Sequence, residues 1–162
     1  MRNRLPLHAL FALTSLCVLA VNCFSQEDIA NRKTAPTKDL FNSKRDAEKD
    51  ISHAIELASK ENKRILLHVG GNWCPWCKKL DNLFTNDHDI SRLLKEEYIV
   101  VNVNFSSDNP NKVVLSKYPR VTGYPHLFIL DKTGKLLRSQ STEELEDIGK
   151  YDNRKVLACL KK

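Results

Sequence analysis

Trp73-Cys74-Pro75-Trp76-Cys77-Lys78-Lys79 decides the reading of this chain. Two cysteines three apart follow an apolar run, Ile65-Leu66-Leu67-His68-Val69, which reads as a buried strand broken by Gly70-Gly71-Asn72. From Pro75 onward, Lys78, Lys79, Leu80, Leu83 and Phe84 read as a helix with apolar positions at i, i+3 and i+4. Pro75 then falls in the first turn, where its missing N–H costs nothing. Cys74 falls at the helix N-terminus, where unpaired N–H groups and the macrodipole favour a thiolate over a thiol. Cys77, one turn on, can close a disulfide and resolve a mixed one. The spacing supplies an activated nucleophile and its resolver.

The motif Trp73 to Lys78 resembles the Trp-Cys-x-x-Cys-Lys signature of the thioredoxin family. A second match lies downstream, at Val121-Thr122-Gly123-Tyr124-Pro125-His126-Leu127-Phe128-Ile129-Leu130. It resembles the family segment in which a cis-proline, here Pro125 after Tyr124, faces the cysteine pair and shapes the substrate surface. Tyr98 to Asn104 is similar to the family's central strand, and Asn109-Pro110 through Tyr118 to the helix before the cis-proline. The resemblance covers roughly Asp46 to Lys162. It implies an α/β thioredoxin fold, a mixed central β-sheet flanked by helices, preceded by an N-terminal extension. It also implies a redox-active disulfide, Cys74–Cys77, supported by Trp73, Pro75, Trp76, Lys78, His68, Tyr124 and Pro125.

One residue departs from the family pattern. Where the family usually carries a buried acid, six residues before the first cysteine, this chain has His68; the family's partner lysine aligns with Asn102. His68 is either a satisfied core histidine or a proton relay with a pKa nearer neutrality. His126, beside Pro125, is either structural or a tuner of the thiolate. Trp76, between the cysteines, reads as a partly exposed aromatic offering a flat apolar contact to substrate.

The chain has 162 residues, the length of one domain. Arg2 and Arg4 form a basic start, Leu5 to Val21 is mostly apolar, and Ser25 places a small residue before Gln26. Residues 1–25 therefore read as a signal peptide, with export to a bacterial periplasm and a product starting near Gln26. Retention as a membrane anchor, or lipidation at Cys23, are the alternatives, and the only routes to a membrane. Residues 26–42 read as a polar linker and 43–162 as the thioredoxin-like domain. Within it, Ser43 reads as the cap of a helix from Lys44 to Glu61, with Ala47, Ile51, Ala54, Ile55 and Ala58 on one face. Further helices are expected at 89–97, 111–118 and 151–161, strands at 98–104, 126–130 and 135–140, and a turn at Asp131-Lys132-Thr133-Gly134. The acidic stretch Ser141 to Lys150 is longer than a connection requires and has no assigned role.

The formal net charge of +6 falls to +4 without the leader, and its lysines and arginines are intermixed with acids. With no aromatic interleaving this is a solvated surface, not a nucleic-acid patch. Beyond the leader only Cys74, Cys77 and Cys159 remain, too few for a disulfide scaffold. Cys159, on the helical period of Val156, reads as a buried apolar cysteine.

These residues carry an expectation of thiol–disulfide exchange with protein substrates that bear disulfides or thiols. No Gly-rich phosphate loop or flavin fingerprint is present, so no cofactor is expected, and electrons would come from a redox partner protein. Two other classes stay open: a thioredoxin-fold interaction module in which Cys74–Cys77 is only a staple, and a metal site using Cys74, Cys77, His126 and a fourth ligand.

Overall fold

A computed structural model of the chain describes residues 39–162; the stretch read as a signal peptide, and most of the stretch read as a linker, lie outside the described residues. Helix α1 (Ala47–Glu61) starts three residues later than the sequence implies. Arg45 N–H closes a turn onto Asn42 O, and Asn42 Oδ1 accepts from Lys44 N, so 42–45 is spent on a turn. Asp46 then caps the helix, its Oδ1 accepting from the amides of Glu48 and Lys49 at 3.1 and 3.2 Å. Strand β1 (Arg64–Gly70) follows, then α2 (Pro75–Asn86) and α3 (His88–Glu97). Asp87 ends α2 and caps α3, accepting from Asp89 N and Ile90 N, which breaks the helical region in two.

Strand β2 (Tyr98–Asn104) leads to α4 (Lys112–Leu115), far shorter than the helix expected at 111–118. Its start is bent by Asn111 at φ 46°, and Pro119 forbids continuation beyond the turn at Tyr118. Strands β3 (His126–Leu130) and β4 (Leu136–Ser141) form a hairpin, turned by Asp131, whose carboxylate accepts from Thr133 N and Lys135 N. A 3-10 turn (Thr142–Leu145) and a miniature ladder of β5 (Glu146–Asp147) and β6 (Lys150–Tyr151) occupy the acidic stretch. Helix α5 (Asn153–Lys161), capped by Asp152, closes the fold.

The main sheet has the order β2-β1-β3-β4, with β1 parallel to β2 and antiparallel to β3, and β3 antiparallel to β4. The mixed sheet explains why β1 is a nearly continuous apolar run: both its faces are covered. Ile65, Leu67 and Val69 pack with Phe128 and Leu130 against α1. Leu66, Leu127 and Ile129 pack on the other side against Leu80 and Phe84 of α2, Ile90 and Leu94 of α3, and Val156 and Leu160 of α5. His68 shares its face of β1 with Leu66, beneath α2, because side chains alternate along a strand. The parallel β1–α2–α3–β2 unit leaves the N-terminus of α2 just past the C-terminal end of β1, where the cysteines are.

Candidate active site

Cys74 is the N-cap residue of α2, in extended conformation (φ −92°, ψ 109°), with Pro75 next in the helix. Its Sγ accepts the backbone N–H of Cys77 at 3.1 Å, as a serine or aspartate oxygen does at an ordinary cap. A disulfide joins Cys74 and Cys77, with Cα atoms 5.3 Å apart. Helix geometry thus delivers one amide donor, and the positive end of the α2 dipole, to the Cys74 sulfur. Cys77 is fully buried and Cys74 is 3 % exposed, so both sulfurs of the pair are nearly covered. Phe41, Leu40, Trp76 and Tyr124 pack around the pair.

Gly70 and Gly71 are required by close approach rather than by backbone conformation. A Cβ on Gly70 would collide with Cys77 Sγ, and one on Gly71 with the Trp73 indole and Phe105 O. These two glycines let the redox turn fold back onto the end of β1.

The Tyr124–Pro125 peptide bond is cis, and the Tyr124 carbonyl oxygen lies 3.7 Å from Cys74 Sγ. Tyr124 stacks on Phe105 (4.6 Å between centroids) and meets Trp73 edge-on at 5.7 Å. Trp73 donates its indole N–H to Phe105 O at 2.7 Å and leaves 56 % of its surface exposed. Trp73 is therefore the more open aromatic face, while Trp76 stays partly exposed. Trp76 is half-buried against Tyr151 (5.2 Å, edge-on), with Lys79 Nζ over its ring at 4.1 Å. Lys78 is exposed on the following turn.

His68 is fully buried between Phe41 (4.9 Å) and Phe84 (5.8 Å). Its Nδ1 meets Asn102 Oδ1 at 3.2 Å, across the β1–β2 register that pairs the two residues, while Nε2 has no partner. Burial pushes its pKa down to about 4, against a small upward pull from Asn102. The relay with a near-neutral pKa is thus corrected: desolvation wins, and the imidazole is neutral at pH 7. With Asn102 presenting its oxygen, the proton sits on Nδ1 and Nε2 is a bare base.

His126 is buried on the α1 side of the sheet, its Nε2 2.8 Å from Ser139 Oγ and its ring against Phe128 at 4.7 Å. Burial lowers its pKa. Among the described residues no group of three or more His, Cys, Asp or Glu side chains is placed to hold a metal ion. Cys159 is a buried free thiol, 5 % exposed, with Arg138 Nη1 3.6 Å from its sulfur; burial raises its pKa and Arg138 partly opposes that.

Sequence reasoning missed Phe41 and Asn72. Asn72 Nδ2 donates to Asp39 Oδ1 (2.7 Å) and Phe41 O (3.0 Å), and Phe41 N–H donates back to Asn72 Oδ1 (3.1 Å). This clamp fastens 39–41 beside the disulfide and seats Phe41, 1 % exposed, against the cysteines and His68. Phe41 is the lone aromatic of the stretch read as a polar linker, the one signal that pointed to it.

Residues 51–151 match a family model described as a thioredoxin-like domain. This chain belongs to the thioredoxin-like family. It is 27 % identical over 101 residues to the disulfide bond reductase DsbH of Chlamydia pneumoniae, covering 57 % of this chain and 60 % of that protein. It is 27 % identical over 92 residues to the thiol:disulfide interchange protein DsbD of Actinobacillus pleuropneumoniae serotype 5b (strain L20), covering 56 % of this chain and 16 % of that protein. The chain therefore spans less than two thirds of either relative. Among solved structures, a disulphide isomerase from Xylella fastidiosa Temecula1 superposes with a TM-score of 0.66 at 22 % identity, over 75 % of this chain and 93 % of that one. That likeness is one of fold.

Proposed function

We propose that this chain is an exported thiol–disulfide oxidoreductase that exchanges disulfides with protein substrates through Cys74 and Cys77. The observation that carries the reading is the placement of the disulfide at the N-cap of α2, with the Cys77 amide donating to Cys74 Sγ. In the dithiol form that amide and the helix dipole favour the Cys74 thiolate. The thiolate attacks a substrate disulfide; one substrate sulfur leaves as a thiolate and the other stays in a mixed disulfide with Cys74. Cys77, deprotonated, then attacks Cys74 Sγ, releasing the second substrate thiol and leaving Cys74–Cys77 oxidised. Two electrons have passed to the substrate, and a donor dithiol protein must return them. Neutral His68 lies buried on the face of β1 beneath α2, its Nε2 without a partner.

The reductase or isomerase direction is favoured because one amide and one dipole make a moderately acidic thiol, and Pro75 supplies no second N–H. The similarity to a disulfide bond reductase supports the same direction. The basic, apolar leader supports export to the bacterial periplasm.

The test is turnover of insulin disulfides with dithiothreitol as electron source. Reduction should exceed that of dithiothreitol alone and vanish in Cys74→Ser. A Cys74–Cys77 bond that resists dithiothreitol, with no turnover, would make the pair a structural staple. Intact mass of chain recovered from the periplasmic fraction should begin near Gln26; full-length chain held in membranes would overturn export.

A further inference from the structure

Tyr124 O lies 3.7 Å from Cys74 Sγ, and the next carbonyl along the chain is held from behind. Thr142 Oγ1 donates to Pro125 O at 2.7 Å, and the threonine is 2 % exposed. Its own place is set on both sides. Ser141, just before it, pairs with His126 across β3 and β4. Leu145, at the end of the 3-10 turn that Thr142 begins, is buried in the core that holds Leu80 of α2. Asp152 N–H donates to Leu145 O at 2.9 Å and closes the excursion behind it.

The Tyr124 and Pro125 carbonyls move nearly as one piece. The peptide between the two residues is planar and the pyrrolidine ring locks φ of Pro125, so ψ of Pro125 is the one soft torsion separating them. A hydrogen bond that fixes Pro125 O therefore also aims Tyr124 O at the sulfur. In the dithiol form a Cys74 S–H can donate to that oxygen, whereas a thiolate faces its lone pairs. A neighbour that bonds the neutral form and opposes the charged one raises the pKa of an acid.

We propose that Thr142 is a positioning residue of the redox site: through Pro125 O it holds the Tyr124 carbonyl against Cys74 and restrains the acidity of the attacking thiol. This rests on the exchange reaction proposed above, in which Cys74 is that thiol, and it gives the start of the 142–151 excursion a role. Thr142 touches no substrate and acts through two backbone oxygens. Besides the Tyr124 phenol, the charged or titratable side chains on the elements around Cys74 are Asp39 beside Phe41, His68 of β1, Lys78 and Lys79 of α2, His126 of β3, and Glu143 next to Gly123. Removing the Thr142 hydroxyl alters none of them.

The experiment compares the full chain with Thr142→Val, which removes the hydroxyl at nearly constant shape, and Thr142→Ser, which keeps it. The pH dependence of iodoacetamide alkylation of the reduced chains, followed at Cys74 by peptide mass, gives the pKa of that thiol. Thr142→Val should lower it by about 0.5 to 1, the scale of one net hydrogen bond, and should shift the equilibrium with glutathione toward the dithiol. Thr142→Ser should match the unsubstituted chain. Where Thr142→Val does not fold, Thr142→Ala carries the same expectation with less bulk to place. A Cys74 pKa unchanged by loss of the hydroxyl, even with a lower urea midpoint, makes Thr142 merely structural and overturns the proposal. So does an equal shift in Thr142→Ser. Failure of the unsubstituted chain to turn over insulin disulfides defeats instead the exchange reading beneath it.

Discussion

The sulfur of Cys74 accepts the backbone N–H of Cys77 at 3.1 Å, so the second cysteine of the pair helps to activate the first through its main chain, not its thiol. Replacing the Cys77 side chain leaves that donor in place.

Cys77→Ser should therefore keep an activated Cys74 while losing the group that resolves a mixed disulfide. Covalent complexes with substrate should accumulate in that variant and dissociate on adding reductant. Cys74→Ser should trap none, since Cys77 lies inside α2 without the N-cap amide that activates Cys74, and is fully buried. Non-reducing electrophoresis followed by mass spectrometry reads the difference; equal trapping by both variants would refute the division of roles.

His68 gives a pH dependence of stability with a definite sign. Its folded pKa, about 4, lies below the ordinary value of 6.5, because burial disfavours the imidazolium. As pH falls below about 6.5 the unfolded chain takes up the proton and the folded chain does not, so stability is complete above that value and declines toward pH 4. The full effect of a shift this size is about 3 kcal/mol. His126, also lowered by burial, acts in the same direction. Urea unfolding at pH 4.5 and 7 should show the loss, and His68→Gln should flatten it even where its stability at pH 7 is lower. An unchanged slope in His68→Gln would sink the assignment.

Phe41→Ala should cost about 3–5 kcal/mol, the usual range for truncating a buried phenylalanine. Phe41 is 1 % exposed and fills the space between Cys77, Gly70 and His68. Denaturant midpoints of the oxidised chain measure this. A loss below 1 kcal/mol would mean that the 39–41 strap adds little to the domain.

The parts of the fold legible in the sequence were those written in periodicity or punctuation. The apolar run at 65–69 and the Asp131–Gly134 turn were read from local pattern, and the proline and cysteine motifs from their resemblance to one family. What escaped was set by tertiary contact. Phe41 is the lone aromatic of a mostly polar stretch, and the Asn72 clamp seats it in the core. Both tryptophans carry the same local signal, and their exposures differ because Tyr151, distant in sequence, covers Trp76 and leaves Trp73 open. The shift of the first helix start from Lys44 to Ala47 reflects competition between two good caps, Ser43 and Asp46, which propensity alone does not resolve. A histidine's pKa depends on what surrounds it, so the buried, down-shifted state of His68 could not be read from a strand pattern.

The redox potential follows from the number of groups that stabilise the Cys74 thiolate. A strong oxidant owes its potential to a reduced form held low in energy by a very acidic thiol. Here the Cys77 amide and the α2 dipole act on Cys74, Pro75 gives no N–H, and the Tyr124 carbonyl, 3.7 Å away, opposes negative charge on the sulfur. Near-complete burial of Cys74 opposes it further. The cations nearest in sequence are Lys78, exposed on the next turn, and Lys79, directed to Gly149 O and the Trp76 ring. The balance is a moderate thiol and a potential of roughly −180 to −250 mV. Equilibration of the Cys74–Cys77 couple with glutathione, read by mass after alkylation, measures it. In an oxidising compartment such a couple stays reduced only when a dedicated partner feeds it electrons. A value near −120 mV, that of the strong oxidants, would reverse the direction proposed for this chain and make it a disulfide donor instead.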